Sequence, residues 1–372
     1  MMCLGLFPEM QALGGIQRAS RHMAAVIAGM ARRKGLNYRF LSLNDPGGLH
    51  KDEVDGLPFE YRGFHRSKPR FVLSALRAGT MKPRLIFVAH ANLAPVGWLA
   101  KRFGGAGMIV VGHGIEVWEP LPWIRRKAVK SANTLVAISK FTAARLTDMQ
   151  GVAPEAIRLL PWALDPSVQL KAESGASFPA PAWFPKGRVL LSVARLAAAE
   201  GYKGVDTMIR ALTTIQARVP DLQYLVVGDG DDRARLEKLA RDSGVAARVH
   251  FAGMLDTSSH DLWACYANSD AFVLPSKGEG FGIVFLEAMA FGKPVIGGNH
   301  GGTPDIIEDG ATGFLVEHGD EARLGQIVEM LMCDEQVRKD IGSQARSRVE
   351  SSYQFNQFKR NLESILEECR SA

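Results

Sequence analysis

The sequence predicts an α/β protein with two doubly wound domains, each a parallel β-sheet covered by helices on both faces. Short runs rich in β-branched residues alternate with segments of helical periodicity along the chain, as such sheets require. The length of 372 residues suits two domains better than one core. A proline-rich stretch, "SFPAPAWFPKG" at residues 177–187, separates the two sets of runs and is typical of a linker.

The predicted strands fall on both sides of that linker. In chain order they are "MCLGLF", "YRFLSL", "RLIFVAH", "GMIVVGH" and "TLVAIS", then "RVLLSVARL", "LQYLVVGDG", "RVHFAG", "DAFVLPS" and "KPVIGG". Two such domains on one linker are expected to enclose a cleft. Ligands of parallel sheets bind beyond the carboxyl ends of the strands, where backbone amides and helix N-termini converge. We therefore expect the functional residues in loops that directly follow strands.

The composition is that of an ordinary globular protein, with 47% hydrophobic and 23% charged residues. No apolar run reaches the length of about 18 residues that predicts a membrane span. The N-terminus lacks the basic and apolar regions of a secretory signal. The cysteines lie far apart without the spacing of metal ligands, which predicts free thiols in a cytosolic protein. They are Cys3, Cys265, Cys333 and Cys369.

The net charge of +6 is unevenly distributed. Residues 1–175 contain 24 Lys and Arg against 12 Asp and Glu, whereas the remainder contains 21 against 27. The basic residues of the first half cluster at 32–34, 62–70 and 125–130. Because the motifs of RNA-binding sheets are absent, we expect no nucleic-acid partner. An anionic membrane surface or a phosphate-bearing substrate fits better, and a merely solvated basic face is the alternative.

Loops of the first half carry candidate ligand-binding residues. Gly14 and Gly15 precede a helical pattern, so the backbone can approach a ligand and the helix N-terminus favours an anion; a plain turn is the alternative. His113 lies between two glycines, where little side-chain bulk shields it, and is a candidate acid, base or hydrogen-bonding group. Ser139 ends the next strand as a helix cap or a ligand contact.

In the second half, Arg195 and Lys203 share one loop after a strand. A guanidinium and an ammonium group at the mouth of a sheet are well placed to bind a diphosphate, and surface solubility is the alternative. The run "GDGDD", residues 228–232, resembles an acidic metal site. We interpret its carboxylates instead as caps of the following helix, and we predict no metal.

The stretch "KGEGFGIVFLEAMAFGKP" contains two carboxylates that need partners. Glu279 lies in a loop between glycines, and Glu287 lies in an otherwise apolar helix, where a buried carboxylate without a partner is costly. A polyol whose hydroxyl groups donate hydrogen bonds would satisfy them. A nucleotide sugar has two polyols, the sugar and the ribose, joined by the diphosphate that the cations would bind.

With these motifs the chain resembles the retaining glycosyltransferases of GT-B family 4, which includes bacterial lipopolysaccharide, exopolysaccharide and phosphoinositol mannosyl- and glucosyltransferases. The Glu-x7-Glu motif "EGFGIVFLE" is central to the resemblance, which covers nearly the whole chain. The other motifs, in order, are "PEMQALGGIQ", "GHGIEVW", "AISKFT", "SVARL", "YKG", "VVGDGDD", "HFAG" and "GGTPDIIEDGATGFLV".

The resemblance implies two Rossmann-like domains of the GT-B fold that face each other across a cleft. The expected boundaries are 1–172 for the acceptor-binding domain, 173–187 for the linker, 188–352 for the nucleotide-sugar-binding domain, and 353–372 for a C-terminal helix packing back on the first domain. One departure stands out. Related sequences commonly carry Asn-Gly-Val-Asp after the strand that closes the first domain, whereas this chain has "PWALD", with Trp162 and Ala163 in place of the small polar pair.

The resemblance also implies roles for individual residues. Arg195 and Lys203 would bind the diphosphate, and Glu287 would hold the ribose. The remaining donor contacts would come from Gly15 beside the phosphates, Met254 at the base, and Glu279, Gly280, Phe281, Gly282 and Ile283 at the transferred sugar. The acceptor side would comprise Gly14, Gly15, His113 and Ser139, with His113 reaching the sugar across the cleft. The implied catalytic residues are His113, Glu279, Arg195 and Lys203.

The implied reaction moves a hexose from a nucleoside-diphosphate sugar to a hydroxyl group of a lipid-linked or cell-surface glycan. It retains the anomeric configuration by a same-face mechanism and uses no metal or other cofactor. Mannose from GDP-mannose is favoured over a UDP-hexose, and the expected location is cytoplasmic, peripheral on the inner face of the cytoplasmic membrane. The alternatives are a UDP-hexose-dependent enzyme with a soluble acceptor and a non-catalytic nucleotide-sugar-binding protein. A nicotinamide dehydrogenase is excluded because the first loop lacks Gly-x-Gly-x-x-Gly.

Overall fold

The structure is a computed structural model that describes residues 2–12, 14–173, 177–256 and 259–371. It divides the chain into two compact units, Met1–Ser167 with Gln354–Ala372 and Val168–Tyr353. Each unit has its own sheet and its own hydrophobic core. Among the described residues, no helix is both long enough and apolar enough to cross a membrane.

The first unit alternates strands and helices, as the sequence predicts. Its strands are β1 (Met2–Phe7), β2 (Asn37–Ser42), β3 (Gly48–Val54), β4 (Leu57–Gly63), β5 (Leu85–Val88), β6 (Gly107–Gly112), β7 (Thr134–Ala137) and β8 (Ile157–Leu159). Its helices before the second unit are α1 (Gly15–Arg33), α2 (Lys68–Thr80), α3 (Ala94–Lys101), α4 (Ile115–Trp118), α5 (Trp123–Lys130) and α6 (Lys140–Gln150).

The first sheet has the strand order β3-β4-β2-β1-β5-β6-β7-β8. Its neighbours are parallel except for β3 and β4, which form an antiparallel hairpin at the edge. The hairpin turns at Asp55 and Gly56, which have φ values of 51° and 69°. At this edge the sheet therefore departs from the parallel arrangement that the sequence predicts for it. The Asp-Gly pair was the missed signal, because it suits the type I′ turn that joins two strands.

The second unit repeats the alternation. After α7 (Pro166–Glu173), which spans the boundary, come β9 (Arg188–Val193), α8 (Val205–Ile215), β10 (Leu222–Val227), α9 (Arg233–Asp242), β11 (Val249–Gly253), α10 (His260–Asn268) and β12 (Ala271–Leu274). They are followed by α11 (Ile283–Ala290), β13 (Val295–Gly298), α12 (Thr303–Ile306), β14 (Gly313–Val316), α13 (Glu321–Cys333) and α14 (Glu335–Ser352).

The predicted linker is not a separate segment. Glu173 ends α7, residues 174–176 lie outside the described residues, and residues 177–187 belong to the second unit. The ring of Phe178 lies 5.2 Å from that of His260, and the carbonyl oxygen of Phe178 accepts a hydrogen bond of 2.7 Å from Asn268. These contacts explain why a proline-rich stretch packs on this unit rather than standing alone.

In both sheets the strand order reverses at one position, and ligands of doubly wound folds bind at such a switch point. The second sheet is parallel throughout, in the order β11-β10-β9-β12-β13-β14. Its strand order reverses between β9 and β12, and that of the first sheet reverses between β1 and β5. A crevice opens beyond the carboxyl ends of such a strand pair. Ligand-binding residues are therefore expected in the loops after these four strands.

The last helix, α15 (Phe355–Ser371), belongs to the first unit. Its buried residues recur at intervals of three and four, which gives one apolar face. They are Phe355, Phe358, Leu362, Ile365, Leu366 and Cys369. Its acidic residues pair with cations of the unit: Glu363 with Arg33, and Glu367 with Lys34. The basic cluster at 32–34 is thus partly neutralised within the protein.

Candidate active site

The crevice between β9 and β12 collects four charged side chains. The Lys203 ammonium nitrogen lies 2.5 Å from Glu279 Oε1 and 3.9 Å from Glu200 Oε2. The guanidinium group of Arg195 pairs with the other oxygen of Glu200. Arg195 follows β9 and Glu279 follows β12, so the parallel topology brings together three residues that the sequence analysis selected.

The segment between the two cations explains how Lys203 reaches Glu279. It forms a 3-10 helix over Ala198–Lys203, whose first amide donates a hydrogen bond of 2.7 Å to Asp231. Gly204 then adopts φ 78°, and a Cβ there would lie 2.4 Å from the Pro275 carbonyl oxygen. Only glycine allows the chain to pass so close to the end of β12. The close passage places Lys203 beside the loop that carries Glu279.

The two cations differ in exposure to solvent. The Lys203 side chain is 19% exposed and that of Arg195 is 69% exposed. Burial by itself would lower the pKa of Lys203, but the carboxylates of Glu279 and Glu200 outweigh it, and the net effect raises the pKa. Lys203 is therefore a fixed positive charge at neutral pH. Arg195 can leave its partner at little cost, because exposed ion pairs contribute little stability.

The glycine loop after β12 is held by its backbone. The amide of Gly302 donates a hydrogen bond of 2.8 Å to the Glu279 carbonyl oxygen, and a Cβ on Gly302 would lie 2.3 Å from the carbonyl oxygen of Gly280. The Phe281 side chain is 1% exposed and its ring packs 6.0 Å from that of Tyr353. Phe281 thus anchors the loop, and only its backbone can serve the predicted sugar contact.

Glu287 already has a protein partner. Its carboxylate is 1% exposed and accepts a hydrogen bond of 2.7 Å from the Tyr266 hydroxyl of α10. The sequence analysis missed Tyr266, although a buried tyrosine needs a hydrogen-bond partner. Gly282, at φ 102°, directly precedes α11, and Ile283, the first residue of that helix, is buried. Contact between Glu287 and a ribose stays a prediction.

The predicted base contact lies beyond the neighbouring edge of the same sheet. Met254 directly follows β11 and is 62% exposed. Gly253 before it adopts φ 73°, which turns the chain sharply as it leaves the strand. Met254 therefore presents a flexible apolar side chain to solvent, and its contact with a base stays a prediction.

In the first unit, a buried carboxylate fixes the loop between β1 and α1. The amides of Met10 and Gln11 donate hydrogen bonds of 2.9 and 3.0 Å to Asp45, and the Ser42 hydroxyl donates one of 2.6 Å. Asp45 is 1% exposed. This loop leads to Gly14 and Gly15, which begin α1 as predicted. Asp45 was missed, although it lies in the loop after β2.

The loop after β6 holds His113 in a defined state. Its Nε2 lies 2.5 Å from the Ala89 carbonyl oxygen. A carbonyl oxygen only accepts, so Nε2 carries the hydrogen and Nδ1 is an acceptor. That Nδ1 is buried and has no hydrogen-bond partner among the described residues. Burial, reinforced by neighbouring His90, lowers the pKa of His113 to about 3. His113 can accept a hydroxyl hydrogen but is no acid near neutral pH.

Three further residues of the first unit have defined environments. Trp162, at the departure from the family pattern, is 8% exposed, and its ring lies 5.3 Å from that of His113; Ala163 beside it is buried. Ser139 is buried, and its hydroxyl caps α6 by accepting a hydrogen bond of 3.2 Å from the Thr142 amide. The cap is therefore established, and an acceptor contact of Ser139 stays a prediction.

The carboxylates of the acidic run at 228–232 accept hydrogen bonds from other groups of the protein. Asp232 directly precedes α9, but its carboxylate binds the Arg235 guanidinium at 2.6 and 2.7 Å instead of capping the helix amides. The capping interpretation was therefore wrong for this side chain. Over the residues that the structure describes, no three His, Cys, Asp or Glu side chains form a metal-binding group. The absence of a metal requirement stays a prediction.

Comparison with known proteins agrees with this architecture. Residues 19–168 match the family described as Glycosyltransferase Family 4, and residues 175–348 match Glycosyl transferases group 1. Among solved structures, sucrose-phosphate synthase from Thermosynechococcus elongatus has a TM-score of 0.76 at 20% identity, covering 99% of both chains. Anabaena Alr3699/HepE in complex with UDP has a TM-score of 0.75 at 19% identity, covering 99% of this chain and 100% of that one.

Curated relatives extend the match to function. The GDP-mannose-dependent alpha-(1-6)-phosphatidylinositol monomannoside mannosyltransferase of Mycolicibacterium smegmatis is 30% identical over 77% of this chain and 76% of its own length. The corresponding monoacylated-substrate enzyme of Corynebacterium glutamicum is 32% identical over 76% of this chain and 75% of its own length. The chain is therefore a glycosyltransferase of family 4 with the GT-B fold.

Proposed function

We propose that the protein transfers mannose from GDP-mannose to a hydroxyl group of a lipid-linked or glycan acceptor, with retention of configuration and without a metal. The observation that carries this proposal is the cluster of Arg195, Lys203 and Glu279 at the switch point of the second sheet. It offers two cations for a diphosphate beside a carboxylate for sugar hydroxyl groups. The names of the mannosyltransferase relatives favour the GDP-mannose donor.

The proposed step is a same-face displacement. The acceptor oxygen bonds to the anomeric carbon while the bond from that carbon to the diphosphate oxygen breaks. The acceptor proton passes to a phosphate oxygen of the departing GDP. Arg195 and Lys203 stabilise the negative charge that develops there, which is the larger share of such catalysis. Glu279 is bound to Lys203, so its carboxylate is a poor nucleophile for a covalent route.

The acceptor is proposed to bind at the first unit. His113 presents an acceptor nitrogen there, and the loop pinned by Asp45 presents Gly14 and Gly15 at the start of α1. A hydroxyl-rich acceptor matches an unpartnered hydrogen-bond acceptor. The basic residues of this unit favour an acceptor held on an anionic membrane, and the proposed location is the inner face of the cytoplasmic membrane.

A transfer assay tests the proposal. The purified protein is incubated with a bacterial lipid extract and either GDP-mannose or UDP-glucose, with and without EDTA. We expect GDP release and an α-mannosylated lipid from GDP-mannose, unaffected by EDTA, with the anomeric configuration read by NMR. Turnover of UDP-glucose alone, loss of activity in EDTA, or a β-linked product would each overturn the corresponding part of the proposal.

A further inference from the structure

One face of α5 combines an exposed aromatic ring with exposed cations. Trp123, Arg126, Lys127 and Lys130 follow the spacing i, i+3, i+4 and i+7, so they lie on one side of the helix. Ala128 and Val129, on the other side, are 0% exposed. Of the large hydrophobic side chains that the structure describes, Trp123 is the most exposed, at 72%. We call these four residues the α5 face.

The charges of the α5 face are not used inside the protein. Over the described part of the chain, none of its three cations forms an ion pair with a carboxylate. The Arg126 guanidinium donates to the Gln150 carbonyl oxygen, and the ammonium group of Lys127 lies 5.6 Å from the centre of the Trp98 ring. By contrast, Arg33 and Lys34 of another basic cluster pair with α15.

The shape of the α5 face and the residues beside it are also suited to contact with a lipid surface. With Ser131 it lines an open depression of about 400 Å³. Beside it, α3 and the residues after it expose Leu99 and Phe103, at 41% and 51%. Tryptophan prefers the interface between lipid headgroups and acyl chains, and lysine and arginine prefer anionic headgroups.

The position of α5 connects the face to the acceptor side. The helix joins two parallel strands, so it runs back along the sheet and begins at the edge where the strands end. Arg125 in its first turn donates a hydrogen bond of 3.1 Å to Asn92, two residues after His90. The loop that carries His90 follows β5, the neighbour of the strand that precedes His113. A surface that the protein binds through Trp123 therefore lies at the same edge of this unit as His113.

We propose that the α5 face docks the protein on an anionic lipid bilayer, with Trp123 among the headgroups and the three cations against lipid phosphates. The inference rests on the proposed function in one respect, because it assumes that the acceptor is held on a membrane. A face with four side chains and no deep groove favours a bilayer over a folded partner protein, which needs a larger complementary patch.

Vesicle binding by the full-length protein tests this docking face. The probes are vesicles of phosphatidylcholine alone and vesicles that also contain phosphatidylglycerol, at low and high salt. A triple variant carries Arg126→Gln, Lys127→Gln and Lys130→Gln, and a second variant is Trp123→Ala. The matched control removes the same charge from exposed cations of the second unit: Lys186→Gln, Arg241→Gln and Arg323→Gln.

We expect the wild-type protein and the control to bind the anionic vesicles at low salt and to ignore the neutral ones. The triple variant should lose about 100-fold in affinity, since each cation near an anionic surface contributes about fivefold. Trp123→Ala should abolish quenching of tryptophan fluorescence by brominated lipid. Thermal midpoints equal to wild type show that the variants fold.

Three results overturn the inference: no wild-type binding, wild-type affinity in the triple variant, or an equal loss in the control, which would mean that net charge alone acts. Equally tight wild-type binding to neutral and anionic vesicles also contradicts it. If the protein binds vesicles through the α5 face but does not turn over GDP-mannose, that result would contradict the proposed function and not this inference.

Discussion

The ammonium nitrogen of Lys203 lies 2.5 Å from Glu279 Oε1, and this ion pair joins the loops after two neighbouring strands, β9 and β12. Both side chains are largely buried, at 19% and 13% exposure. The pair keeps a positive charge at the switch point of the second sheet, where a diphosphate is proposed to bind. It also prevents Glu279 from lying there as an uncompensated carboxylate, which would repel that ligand.

The first prediction concerns this cation. Replacing Lys203 by Ala removes the fixed charge that stabilises the leaving diphosphate, so we expect kcat for GDP release to fall about 100- to 1,000-fold. Lys277→Ala, an exposed lysine of the adjacent loop, is the control and should leave kcat unchanged. Steady-state assay of GDP release measures both. Near-normal turnover of Lys203→Ala would remove Lys203 from the catalytic residues.

The second prediction concerns the buried carboxylate of Glu287. Tyr266→Phe deletes the hydroxyl that donates to it, and we expect a loss of about 1.5–3 kcal/mol of stability, since hydrogen bonds to charged groups are the stronger kind. Tyr224→Phe is the matched control, because the hydroxyl of that buried tyrosine hydrogen-bonds to a neutral group, the Ser192 hydroxyl. Its loss should be about 0.5–1.5 kcal/mol.

Urea unfolding followed by circular dichroism measures the two losses. Both tyrosines lie in the second unit, so the two variants report on the same transition. An equal or smaller loss for Tyr266→Phe would mean that the Glu287 carboxylate does not depend on this donor.

The alternation of strands and helices was predictable because burial on both faces of a parallel sheet leaves short apolar runs in the sequence. The edge hairpin of β3 and β4 was not found, because β3 is largely exposed and β4 alternates exposed with buried residues, so neither strand leaves a continuous apolar run. Arg195 and Glu279 were predictable from their places after strands. Their partner Glu200 was not, since which carboxylate meets which cation depends on how the intervening chain folds.

The third prediction is a pH dependence. Burial lowers the pKa of His113 to about 3 and also lowers that of His90, whereas an unfolded histidine titrates near about 6.5. Below that pH the unfolded chain takes up protons that the folded protein does not. Stability is therefore complete above pH about 6.5 and falls as the pH drops towards about 3, by about 1.4 kcal/mol per pH unit for His113, and His90 acts in the same direction.

His113→Gln should remove its share of this slope. We expect the thermal midpoint of the variant to fall less between neutral and mildly acidic pH than that of the wild type, as measured by scanning calorimetry. His65→Asn alters an exposed histidine and should show the wild-type slope. Parallel slopes for His113→Gln and wild type would show that His113 takes up a proton in the folded protein.

The fourth prediction concerns Asp45, which positions the loop before Gly14. Asp45→Asn keeps the shape of the side chain but replaces one carboxylate oxygen by an NH2 group, which donates. That group would face a backbone amide that is itself a donor, so the loop must shift. We expect KM for the acceptor to rise by a larger factor than the Kd for GDP. Asp55→Asn, at the exposed hairpin turn, is the control. A raised Kd for GDP in Asp45→Asn with an unchanged acceptor KM would contradict this role.

The most direct test of the donor assignment is thermal unfolding with GDP, UDP and ADP separately, for the wild type and for Glu287→Ala. A nucleotide at about 100 times its Kd adds about 2.7 kcal/mol of stability. The account predicts that GDP raises the midpoint by a few degrees, that UDP and ADP do so less, and that the variant loses the response to GDP. A response to UDP or ADP but not GDP, or an undiminished response in Glu287→Ala, would contradict it.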